Sequence, residues 1–132
     1  MTTYHRYIVT DAKSTTLEQL CAAIREANAN IGFDHELVLR DGVDCRILID
    51  VTEQGNPIFD DDLTLVMERL NSSSNTDRRT RELLSSARCM VTTHVTHNAD
   101  ESVLDAIWST LQSYCPGILV MEDYAWTIRY YD

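Results

Sequence analysis

The run Glu36-Leu37-Val38-Leu39-Arg40-Asp41-Gly42-Val43-Asp44-Cys45-Arg46-Ile47-Leu48-Ile49-Asp50-Val51 decides the fold class. Two apolar, β-branched stretches flank Asp41-Gly42, a dipeptide that accepts the positive φ angles of a two-residue hairpin turn. Pairing Arg40 with Val43 sends Val38, Cys45, Ile47, Ile49 and Val51 to one face, because successive side chains of a strand alternate. That face requires a core against it. The other face carries Leu37, Leu39 and Leu48 among Asp44, Arg46 and Asp50. It is only partly polar and is expected to be covered or to meet a partner.

Toward the N-terminus, Tyr7-Ile8-Val9-Thr10 reads as a strand. Thr15-Thr16-Leu17-Glu18 fits a capping box in which the Thr15 hydroxyl and the Glu18 carboxylate satisfy the backbone donors of a helix start. Leu17, Leu20, Cys21, Ile24 and Ala27 then form one apolar helical stripe ending near Gly32. Toward the C-terminus, a turn at Gln54-Gly55-Asn56-Pro57 leads to Asp60-Asp61-Asp62, which introduces a helix with Leu63, Val66, Met67 and Leu70 inward. Residues 71–76 read as a flexible polar loop. Asp77 caps a short helix from Arg78 to Ser86, Cys89 to Val95 is a strand, and Asp100 caps a helix running to about Tyr114. Ile118–Met121 and Trp126–Tyr130 complete the strands. The order β-α-β-β-α-α-β-α-β-β predicts an α+β protein. Its form is a two-layer sandwich, a mixed β-sheet with helices packed on it, in which a ferredoxin-like start (β-α-β-β-α) is followed by an extra α-β-β tail. The 132 residues are expected to form a single globular domain, long enough to bury a core without a metal or disulfide staple.

Charge narrows the function classes. Twenty-one acidic side chains stand against eleven basic ones, a formal charge of −10. Residues 1–67 carry −7, residues 68–88 carry +2 and residues 89–132 carry −5. Such a field repels phosphate backbones, so nonspecific nucleic-acid binding is not expected and a basic protein partner is. No apolar run approaches the roughly 20 residues of a membrane-spanning helix, and the first residues lack the apolar segment of a signal peptide, so no membrane association and a cytoplasmic location are expected. The four glycines are isolated, which leaves no phosphate-cradling loop and no expected cofactor.

Candidate residues each carry a plain structural alternative. Asp60, Asp61 and Asp62 suit a basic partner or an oxygen-ligated cation, or simply complement a helix start. Arg78, Arg79 and Arg81, at the beginning of a helix where cations oppose its dipole, suit a phosphate or a partner's carboxylates. Tyr124, Trp126, Ile128 and Tyr130 alternate on one face of the last strand, and Trp126 and Tyr130 would serve a partner or a second copy if that strand is a sheet edge. His94 and His97 would be the ligands of a metal, which requires the chain to turn between them because residues three apart in a strand point to opposite faces. Cys21, Cys45 and Cys89 fall on apolar sides, whereas Cys115, before Pro116-Gly117, is expected in a more exposed place suited to a reactive thiol.

Three functions follow in order. The first is an acidic interaction domain of inhibitor, immunity or adaptor type, without catalytic activity. The second is a small-molecule or metal-dependent enzyme using His94, His97, Cys115 and a carboxylate. The third is a homodimeric structural or regulatory unit joined through the terminal strand.

Overall fold

A computed structural model describes residues 3–11, 13–71, 78–122 and 127–131. In chain order the elements are β1 (Thr3–Val9), α1 (Leu17–Ala27), β2 (Ile31–Asp34), β3 (Leu37–Arg40), β4 (Val43–Glu53), α2 (Pro57–Asn71), α3 (Arg78–Ser85), β5 (Cys89–Val95), α4 (Glu101–Tyr114), β6 (Gly117–Met121) and β7 (Thr127–Tyr131). The strands form one seven-stranded sheet in the order β2-β3-β4-β5-β1-β6-β7. Every pairing is antiparallel, so the sheet is antiparallel rather than mixed.

The hairpin forms as its sequence requires. Arg40 pairs with Val43 across Asp41-Gly42, both at positive φ. Val38, Cys45, Ile47 and Ile49 are buried on one face, with Val51 packed beside them. A bulge follows, with Arg46 at φ 61, and the register shifts so that Leu37 meets Leu48. The extra strand β2 was not expected. Its four residues pair with β3, and Gly32 within it reads more readily as a helix stop.

α1 and α4 lie on the hairpin's apolar face and complete a two-layer α+β sandwich around Tyr7, Val9, Leu20, Ile24, Ile47, Ile49, Val91, Ile107, Leu111 and Leu119. α2 and α3 add a partial cover on the opposite face, burying Phe59, Val66, Leu70 and Leu84 against Ile8, Met90, Ile118 and Val120. β1 and β4 are parallel to each other with β5 between them, and β5 and β6 are parallel with β1 between them. These are two interleaved split β-α-β units. The helices that serve them are α1 and α4. The β-α-β-β-α start, which assigns the second role to the helix after the hairpin, is therefore not the arrangement found.

Helix starts differ from expectation by small shifts with clear causes. The capping box is made by Thr16 and Gln19: Gln19 N donates to Thr16 Oγ1 at 3.1 Å, and Thr16 N to Gln19 Oε1 at 3.3 Å. Thr15 is buried, its hydroxyl 3.0 Å from that of Tyr114. α2 begins at Pro57, where a missing N–H costs nothing, and Asn56 Oδ1 accepts from Ile58 N at 2.9 Å. Asp60 thus falls within the first turn of the helix, with Asp61 and Asp62 following it, instead of the three preceding the helix. Asp100 caps α4 as expected, accepting from Ser102 N and Val103 N. The Ser102 hydroxyl, the Val103 amide and Arg40 hold its carboxyl below its ordinary value.

Candidate functional site

The partial cover leaves half of the second sheet face open, and the register determines what is exposed there. Leu48 pairs with His94, which pairs with Tyr4; in the next row on that face Asp50 pairs with Thr92, which pairs with Arg6. In the third row Met90 and Ile8 run beneath the helices, and Thr52, at the end of that row, lines the open part. Ile58 and Asp62, one helical turn apart at the start of α2, bound the open rows on one side, and Glu36, in the turn before β3, joins the lining. The result is a groove of about 480 Å³.

Its chemistry is uneven in a way that core packing does not require. Among the described residues, five large apolar side chains are exposed, and three of them, Tyr4 (41%), Leu48 (40%) and Ile58 (59%), line this groove. Glu36, Asp50 and Asp62 face a single cation, Arg6. Arg6 is only 4% exposed; its guanidinium lies 3.1 Å from Glu122 and 3.6 Å from Asp62, with its carbon 5.4 Å from the centre of the Tyr4 ring. The Tyr4 and His94 rings stack at 4.6 Å. Three residues of the lining also carry a buried polar atom with no hydrogen-bond partner among the described residues: Arg6 Nε, Thr52 Oγ1 and His94 Nε2. Such atoms are uncommon in folded proteins because each forfeits about 1–3 kcal/mol of hydration, and these three border one groove.

Of the residues singled out from sequence, Asp62 and His94 reach this groove. Asp60 and Asp61 lie exposed elsewhere on α2. Arg78, Arg79 and Arg81 are exposed on α3 and line no part of the groove, with Arg78 Nε bonded to Glu82 at 2.9 Å. β7 ends the sheet, which places Tyr130 opposite Ile118 on an edge strand; Tyr124, Trp126, Asp77 and residues 72–76 lie outside the described residues. His97 sits exposed in the turn beyond β5. Among the described residues no group of three His, Cys, Asp or Glu side chains is placed to hold a metal ion.

The expected exposure of Cys115 is overturned. The residue belongs to the core under α1 and α4, on the opposite side of the sheet from His94, so thiol and imidazole do not converge. Burial, with a smaller repulsion from Cys89, pushes its thiol from the ordinary 9.0 up to about 11, and burial raises Cys21, Cys45 and Cys89 as well. A thiol reagent at neutral pH should therefore find none of the four reactive in the native protein and all four after urea; a fast native equivalent lost in Cys115→Ser would contradict this burial. The sign for stability follows. Because the folded-state value is raised, the contribution is complete below the unfolded value near 9.0 and is lost as pH rises toward about 11.

Tyr4, Arg6, Glu36, Thr52 and Ile58 escaped the sequence reading. The available signal was the partly polar face of the hairpin, Leu48 and Asp50 included, together with a charged residue inside the alternation Tyr4-His5-Arg6-Tyr7-Ile8. No helix among the described residues is long and apolar enough to cross a membrane. No protein-family model matches the chain, and neither the curated proteins nor the solved structures include a significant match to it.

Proposed function

We propose that this chain is an acidic interaction domain that docks a basic protein partner through the open half of its sheet. The observation that carries the reading is the coincidence, in one groove, of three exposed apolar side chains with carboxylates in excess of cations. Apolar contact supplies affinity at the centre of an interface, and surrounding carboxylates steer a cationic partner and reject an anionic one. The overall charge of −10 extends the same attraction beyond contact range.

The test is co-purification from the native host with wild type and with Leu48→Asp, a change at a partly exposed position on the sheet surface. A directly binding partner of basic composition should be retained by wild type and lost with the variant, and its association rate should fall steeply with added salt. A partner that binds both forms equally, or whose association rate ignores ionic strength, would overturn the reading.

A further inference from the structure

We infer that the groove is built to receive one arginine side chain of that partner, its aliphatic stem across Leu48 and Ile58 and its guanidinium at Asp50 and Thr52. The inference rests on the docking role proposed above and adds the chemical group that is recognised. Thr52 Oγ1, without a hydrogen-bond partner among the described residues, can accept a hydrogen bond in the groove. Asp50, two residues before it on the same face of β4, adds a second acceptor: one carboxylate oxygen takes the Val51 amide at 2.8 Å, and the other accepts no hydrogen bond among the described residues. Asp62 is already engaged by Arg6, so Asp50 and Glu36 are the lining carboxylates outside that ion pair.

Two acceptors two residues apart on one face of β4 call for a donor with several N–H groups in fixed directions. A guanidinium has five in one plane, whereas an ammonium is a compact point charge. Hydration argues the same way. Thr52 Oγ1 is buried, so the incoming cation must shed water to reach it, and a guanidinium is the more weakly hydrated of the two. Arg6 Nε is outside this acceptor set, being a donor on a guanidinium already paired with two carboxylates.

The experiment titrates the isotopically labelled full chain with N-acetyl-arginine amide, N-acetyl-lysine amide and the uncharged N-acetyl-citrulline amide, following backbone amides by NMR. The arginine probe should give saturable shifts at Leu48, Asp50, Thr52 and His94, the lysine probe should bind about tenfold more weakly, and the citrulline probe should not saturate. Asp50→Asn should weaken the arginine probe about tenfold, and Asp41→Asn, an equal charge change outside the groove, should leave it unchanged. Thr52→Val should weaken it too while leaving the fold at least as stable, since it deletes an unpaired buried hydroxyl. Equal binding of the arginine and lysine probes would overturn the arginine assignment and leave the docking role standing. Saturation by citrulline, or the absence of saturable groove shifts with every probe, would also overturn it. The docking role is then judged separately, by the effect of Leu48→Asp on co-purification.

Discussion

Gly117→Ala should lower the stability of the protein by about 3 kcal/mol, near the upper end for overpacking a core, with the loss read as a fall in the urea midpoint. A Cβ at position 117 would lie 2.5 Å from Cζ of the Tyr7 ring and 2.8 Å from the Ile8 carbonyl oxygen. Neither neighbour can move freely. The Ile8 carbonyl is backbone of β1, an interior strand paired on both sides, and Tyr7 is fully buried with its hydroxyl donating to the Cys115 carbonyl at 2.6 Å and its ring stacked near Trp108. Gly117 is therefore fixed by a close approach and not by its backbone angle. The mechanism predicts coupling. Tyr7→Leu, destabilising alone, should reduce the additional cost of Gly117→Ala, because the ring carbons it meets are gone. Strict additivity of the two substitutions, or an unchanged midpoint for Gly117→Ala, would refute the steric account.

Arg6→Met should cost about 2–4 kcal/mol, because removing one partner from a buried charge cluster leaves the others uncompensated. The methionine keeps the apolar stem against the sheet but leaves the Asp62 and Glu122 carboxylates without their shared cation. Both carboxylates retain some access to water, at 23% and 33% exposure, which keeps the loss below that of a fully dry pair. Arg6→Lys, restoring charge without the planar fork that reaches both acids, should recover only part of it. Arg6→Met combined with Asp62→Leu should also recover part, since one orphaned charge is then removed. An Arg6→Met protein with the wild-type midpoint would mean that the cluster is a surface ion pair of negligible weight.

These two positions also mark how far the sequence could be read. Local patterns specify their own elements: the faces of the hairpin, the Asp100 cap and the extent of β5 follow from alternation and capping chemistry, which act over a few residues. The capping box slipped by one residue because Thr15 and Thr16 are equivalent until Thr15 finds Tyr114 across the core. Cys115 looked exposed because Pro-Gly punctuates a helix exit, yet β6 turns directly back into the sheet and buries it. The groove was the least legible feature. Its lining comes from residues 4–6, 36, 48–52, 58–62 and 92–94, and only sheet order and register, both long-range outcomes, bring these together.

The interior place of β1, between β5 and β6, has a consequence for how the protein is made. β1 emerges from the ribosome long before the strands on either side of it; the Tyr7 hydroxyl waits for a carbonyl 108 residues later, and Arg6 for a carboxylate 116 residues later. Until β5 and β6 arrive, both edges of this β-branched and aromatic strand stay unpaired, inviting misassembly on polysomes and engagement by chaperones. Acquisition of the native sheet is in that respect set by the arrival of β6.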